Sequence, residues 1–332
     1  MSPGTEPHAD GAAEIGIGKI HCLLPDKKVA VEDLPEFAML DADSVEFARS
    51  SGVRTVGVFE ETEQAPLAAR ACRELFEAHP GDPDTLLLVA PRAPDMLLSS
   101  DACRVQTEAK LNSAFAFTVE GLGCTGSSTA WALARDLLLA DPGREQVVIA
   151  HASRPTGVDR IRFPVTVVGD GAFAMTMVRG GRPVLRAHRQ QVDGSFHDLF
   201  RVDYKQTPWY EWREVCQDSS RYRFHLATLS SRKLDTMIEQ VLADAGVGRD
   251  RVKATLMQNV TAGAYDFYTT LLGLPIDPIC GEHLAEYGHL GAADVVLNLN
   301  ALLASGRLDR GDLVLVLNNS PVAAWAVTLW EV

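Results

Sequence analysis

No two of the six cysteines are spaced as CxxC, and no apolar run approaches the ~18 residues that a bilayer crossing needs. The first absence leaves Cys22, Cys72, Cys103, Cys124, Cys216 and Cys280 with neither a zinc site nor a disulfide framework to build, which fits a reducing, cytoplasmic setting. The second leaves no membrane span. The opening MSPGTEPHADGAAE is polar and acidic and lacks the apolar h-region of a secretory signal; residues 1–14 read as a disordered tail. Positive charge is scarce too: 31 Lys and Arg stand against 44 Asp and Glu, for a formal net charge of −13. Such a chain repels phosphate backbones and anionic lipid, so nucleic acid and membrane are not expected as partners. Two arginine clusters are the local exceptions, Arg154/Arg160/Arg162 and Arg213/Arg221/Arg223. Solvated surface is the expected role of both, with contact to a phosphate-bearing ligand as the alternative.

What is present is an ordinary globular composition, 46% hydrophobic over 332 residues, enough for two domains or one large fold of two halves. The apolar runs at 85–90, 146–152, 165–178, 252–258 and 312–320 are short, rich in β-branched residues and bounded by Gly, Pro, Asp or Asn, as buried strands are. Between them run helical periods: Leu67/Ala71/Leu75/Phe76, Ala130/Trp131/Ala134/Leu137/Leu138, Leu234/Ile238/Val241/Leu242 and Val295/Leu299/Leu302/Leu303. The alternation predicts an α/β layered fold. A rough internal symmetry relates LFEAHPGDPDTLLLVAPRA to VLADAGVGRDRVKATLMQN. Residues 189–228 are less periodic and read as an excursion, packed under loops in preference to lining a channel.

The segment FAFTVEGLGCTGSSTAWALARDLLLA carries the chemistry. A strand-like stretch meets Gly121 and Gly123, then Cys124, then an amphipathic helix. A thiol at a tight turn feeding a helix N-terminus sits among unpaired N–H groups, which favour a thiolate. Ser127 and Ser128 fit helix capping better than nucleophilic attack. GDG at 169–171 lacks the rest of a phosphate-loop pattern and reads as a hairpin turn. His283 and His289 with Glu282 and Glu286 lack metalloprotease spacing, so no metal is assigned.

GLGCTGSSTAWAL resembles the nucleophile turn of the ketoacyl-ACP synthase III group. SSGVRTVGVFEETEQAPLAARAC, RFPVTVVGDGAFAMTMV and the stretch from EYGHLGAADVV to the end resemble that family's other landmarks, in order, over about residues 15–332. The resemblance implies a five-layer αβαβα thiolase fold of two similar halves, 15–180 with the nucleophile and 181–332 with a catalytic His. It implies a homodimer, an acyl-thioester on Cys124, no permanently bound cofactor, and acyl-CoA or a phosphopantetheinyl acyl carrier protein as donor substrate.

The chain departs from the pattern in places that matter chemically. Condensing members use a His and an Asn from two loops during decarboxylation. Here Met257 stands at the His position, with Val260 where a later Asn would be, and His289 stands at the Asn position. Methionine neither donates a hydrogen bond nor moves a proton. A similar His-for-Asn change occurs in a branch that transfers acyl groups to small acceptors in natural-product pathways. Asp294, Asn318, Asn319 and Asn259 are candidates for orienting His289; Asp294 is expected past the helix start, with a capping or surface role, and Asn318 or Asn319 is preferred. The oxyanion donors implied are the N–H of Cys124 and, because Pro321 has none, the N–H of Val322. The family's Trp and Arg contacts to coenzyme A are not evident, with Ala262 where an Arg is common.

The expected function is transfer of a short acyl group through Cys124 to a hydroxyl or amine of a secondary-metabolite acceptor. A decarboxylating condensing enzyme and a non-catalytic thiolase-fold partner subunit are the alternatives.

Overall fold

A computed structural model describes residues 13–332 except for 62, 92, 97 and 156–159. The expected tail therefore lies outside the described residues but for Ala13 and Glu14. Glu14 is anchored: its carbonyl accepts from the Gly180 N–H at 2.8 Å, and its carboxylate pairs with Arg182 and Arg186.

Nine strands form the main sheet: β1 (Ile15–Leu23), β2 (Thr85–Val89), β3 (Phe115–Val119), β4 (Gln146–Ser153), β5 (Gly171–Arg179), β6 (Val184–Val192), β7 (Val252–Met257), β8 (Leu313–Ser320) and β9 (Ala324–Glu331). Their order is β7-β8-β9-β6-β1-β5-β4-β2-β3. The five strands on one side come from residues 15–179 and the four on the other from 184–331. The two sets meet at a single pair, Gly16 opposite Val184. Glycine is required at this seam, since a Cβ on Gly16 would lie 2.1 Å from the Gly181 carbonyl oxygen. A lone parallel bridge, Thr255 to Ile276, marks a fifth position beyond β7.

Alternation along the strands sorts the layers. In β2, Leu87 and Val89 face one core while Leu86 and Leu88 face another; in β8, Val314 and Val316 face inward while Leu315 and Leu317 face outward. Helices α1 (Gln64–Ala78) and α2 (Asp101–Glu108) cover the outer face of the first half-sheet. Helix α3 (Gly126–Ala140) runs between the half-sheets, while α4 (Ala227–Asp244) and α5 (Ala262–Leu272) cover the outer face of the second. After α6 (Pro278–Tyr287), helix α7 (Asp294–Ala304) joins α3 in the middle, where Trp131, Val295, Val296 and Leu299 share the inner core with Trp330. The succession is α, β, α, β, α: the thiolase fold. Helices α3 and α7 are buried on nearly all sides, and their first residues reach the same end of the middle layer.

The strand expected over 165–178 is two pieces, with Gly169 and Asp170 between them. Asp170 is fully buried and pairs with Arg154 at 3.2 Å and Arg160 at 2.8 Å. This corrects the expectation of solvated arginines: two of the first cluster neutralise an interior carboxylate. Removing one partner of a buried ion pair strands the others, at about 3–5 kcal/mol. Asp170→Ala is therefore expected to lower the denaturation midpoint steeply in urea melts, and more than Asp170→Asn. Among the described residues, no helix is long and apolar enough to cross a membrane.

Candidate active site

Cys124 lies in a short 3-10 turn, Gly123–Thr125, between β3 and α3. The Thr125 N–H and hydroxyl both reach the Leu122 carbonyl, at 3.2 and 2.8 Å, and close the turn. Gly123 has φ 53°, and a Cβ there would meet Ser320 Oγ at 2.4 Å, so the end of β8 presses directly on the nucleophile turn. Asn318, on β8, donates from Nδ2 to the Cys124 carbonyl at 2.9 Å and to Ser128 Oγ at 3.2 Å. Ser127 and Ser128 thus do not cap α3, contrary to expectation: Ser128 receives Asn318, and the buried Ser127 hydroxyl has no partner among the described residues.

His289 follows α6, with its backbone held on both sides. Its N–H donates to the Val167 carbonyl at 2.9 Å, and its carbonyl accepts from the Gly169 N–H at 3.0 Å. The GDG turn, braced by its arginines, is thus part of the scaffold for this histidine. His289 Nε2 stands 3.1 Å from Cys124 Sγ, and both side chains are buried. On the other edge of the ring, Nδ1 donates to Asp294 Oδ2 at 2.5 Å.

Asp294 is the main correction to the sequence reading. It is the first residue of α7 and not past the helix start, and it is fully buried in place of facing solvent. Its Oδ1 accepts from the Leu290 N–H at 2.7 Å, and its Oδ2 also accepts from the Asn259 N–H at 2.8 Å. Asn319, the residue preferred for orienting His289, is spent elsewhere. Its amide donates to the Tyr268 hydroxyl at 2.7 Å, and its Oδ1 accepts from Gln258. The signal in the sequence was His-x4-Asp ending at a helix start, where the carboxylate turns back on the preceding loop.

Burial alone would push the His289 pKa down. The charges of Asp294 and Cys124 outweigh it and raise the value to about 10. The ring is therefore cationic at neutral pH. Because the folded value lies above the ordinary 6.5, the stability this charge contributes is complete below about 6.5 and is lost as pH rises through about 10. Urea melts should show His289→Asn losing more stability relative to the unchanged protein at pH 6 than at pH 10. The neighbouring His151 behaves oppositely: burial lowers it to about 4, and its Nδ1 donates to the Val89 carbonyl, so it stays neutral beside the His289 charge.

The pair opens into a cavity of about 290 Å³. Its walls include Tyr222, Leu226, Phe267 and Tyr268, with Arg162, Asn319 and Ser320 as polar groups. The excursion thus lines the site and is not merely packed under loops. A π-helical segment, Arg221–Leu226, carries Tyr222, whose ring is braced edge-on by Phe200 at 5.4 Å. Arg162 pairs with Glu214 of the excursion, Arg221 with Asp198, and Arg223 lines the cavity over the Phe163 ring. Met257 is fully buried in the outer core of the second half and does not line the cavity, whereas Val260 does. The Val322 N–H has Ser320 Oγ at 3.5 Å; Pro321 lines the cavity and Val322 does not. No group of three or more metal-ligating side chains occurs among the described residues.

Residues 242–332 match the family model for the C-terminal part of 3-oxoacyl-[acyl-carrier-protein] synthase III. The chain is 28% identical, over 302 residues, to beta-ketoacyl-[acyl-carrier-protein] synthase III of Erythrobacter litoralis, covering 88% of this chain and 91% of that one. Among solved structures it resembles ChlB3, described as an acyltransferase, with a TM-score of 0.81 and 23% identity over 96% of this chain and 98% of that one. The 3-oxoacyl-(acyl carrier protein) synthase III of Pseudomonas aeruginosa PAO1 follows with a TM-score of 0.78 and 19% identity, over 96% and 98%. At these identities the structural likeness speaks for the fold.

Proposed function

From a chain that is ketoacyl-ACP synthase III-like and of the thiolase superfamily, we propose an acyltransferase that works through a Cys124 thioester. The observation that carries the reading is the buried hydrogen-bonded series Cys124–His289–Asp294, with no histidine at position 257. This is a nucleophile, a proton carrier and an orienting carboxylate in one line, the arrangement that acyl transfer needs.

The steps follow from the charges. The Cys124 thiolate attacks the donor thioester carbonyl while His289 is cationic. The donor C–S bond breaks, and the departing thiolate takes the Nε2 proton from His289. Acylation removes the sulfur's charge, one of the two charges holding the His289 proton, so the proton leaves more easily when it is needed. The now neutral imidazole accepts a proton from the acceptor's hydroxyl or amine as that group attacks the acyl carbon. The bond to Sγ breaks, and thiolate and imidazolium are restored. The Cys124 N–H serves the developing oxyanion. The Val322 N–H is the second donor if the turn after β8 moves toward the substrate.

The donor is acyl-CoA or an acyl carrier protein, with no resident cofactor. The acceptor is a small molecule of secondary metabolism. Decarboxylative condensation is the weaker reading, because Met257 faces the core and offers nothing to an enolate. A non-catalytic partner subunit is weaker still, since all three reacting-site residues are in contact. The edge strand β3, paired among the described residues with β2 alone and carrying an exposed Phe115, supports a homodimer built by sheet extension.

Intact-mass measurement after incubation with acyl-CoA and acyl-carrier panels tests the reading. One acyl adduct, absent in Cys124→Ala and discharged by an added acceptor, is the expected result. Carbon dioxide release from a malonyl donor with carbon–carbon bond formation would replace it with condensation. No adduct from any donor would end it.

A further inference from the structure

We propose that Asn298 is a positioning residue for the His289–Asp294 pair, acting through Asn259. Asn298 sits on the second turn of α7 and is fully buried. Its Nδ2 donates to the Met257 carbonyl at 2.8 Å and to Asn259 Oδ1 at 2.9 Å, bracketing the loop that leaves β7. A carbonyl only accepts, so the amide nitrogen must face Met257. The other end of the amide, Oδ1, receives His283 Nδ1 at 2.7 Å. Every hydrogen-bonding atom of the side chain is therefore used.

Asn259 passes this constraint to the reacting groups. Its backbone N–H meets Asp294 Oδ2, the same oxygen that receives His289 Nδ1. Its Nδ2 donates to the Gly288 carbonyl at 3.3 Å, one residue before His289, and its Oδ1 also receives the Tyr265 hydroxyl at 3.3 Å. Without a fixed Asn259, Oδ2 keeps only the histidine and Oδ1 only the Leu290 N–H, so the carboxylate loses one of its three anchors and its angle to the imidazole is less tightly set. A short hydrogen bond between charged groups depends on that angle. The loop beside position 257 thus serves here to hold the carboxylate. The inference rests on the reading of His289 as proton carrier.

The experiment is proton NMR of the resting protein beside single-turnover transfer from acylated Cys124. The Nδ1 proton of His289, identified by its loss in His289→Asn, is expected far downfield in the unchanged protein. In Asn298→Leu it should shift upfield or broaden away, with transfer about tenfold slower, the loss expected of one buried hydrogen bond. A purely structural role would lower the melting temperature and leave the resonance in place. A folded Asn298→Leu with an unmoved resonance overturns the proposal, as does absence of the resonance from the unchanged protein. Should Asn298→Leu fail to fold, His283→Phe, at a half-buried position, removes the donor that fixes the Asn298 amide and should move the resonance in the same direction; no movement there is equally decisive against it. Because the resonance is read without turnover, a failure of acyl transfer itself is distinguishable from a failure of this inference.

Discussion

His289→Ala is expected to keep the acyl adduct on Cys124 and to stop passing it on. The reason lies in the two positions of one proton. Forming the adduct needs a proton for a thiolate leaving group, which water can supply. Discharging it to a hydroxyl needs a base at the attacking oxygen, and Nε2, 3.1 Å from the sulfur, is the group placed to serve. Loss of a positioned general base costs about 10²–10⁴ in rate. The slowed step should be transfer, read as a long-lived adduct in mass spectra and a matching fall in acceptor product. Equal loss of adduct and transfer would mean that the histidine's charge mainly readies the thiol, and His289→Lys, which keeps a cation but not the shape, would then restore part of the adduct.

Asp294→Asn is expected to cost nearly as much while leaving the cavity's shape intact. The carboxylate accepts three hydrogen bonds, from His289 Nδ1, Leu290 N and Asn259 N. An amide can accept at one end only, so its NH₂ must confront a donor. Two effects follow. The imidazole loses the partner that keeps its proton on Nδ1, and the wrong tautomer presents a donor to the acceptor's hydroxyl where a base is needed; by analogy with other triads, the loss in turnover is about 10⁴. Burial, no longer opposed by the carboxylate, then lowers the His289 pKa from its value of about 10. NMR titration should find the imidazole neutral at pH 7 in Asp294→Asn. A ring that stayed cationic would show that the sulfur alone holds the proton.

The alternation of buried strands with amphipathic helices, and the thiol set among glycines before a helix, were legible along the chain, because both are local patterns of spacing. The side-by-side placement of Cys124 and His289, 165 positions apart, came from resemblance and not from spacing. Three matters were settled only in three dimensions. Asp294 looked like a helix cap because its sequence neighbours say only that a helix begins there; its burial against His289 depends on α7 lying between two half-sheets. Arg154 and Arg160 looked like surface charge until the turn at Gly169 carried Asp170 inward between them. Residues 189–228 lacked a period because, past the end of β6 at Val192, they form a short hairpin (Phe200–Val202 with Glu214–Cys216) packed on the outer core and a π-helical segment whose Tyr222, Arg223 and Leu226 line the cavity, and no single repeating face. Periodicity reports how a segment meets one flat or cylindrical surface. It carries no information about which distant segment supplies that surface, and at the reacting site every partner of His289 but Asp294 is distant.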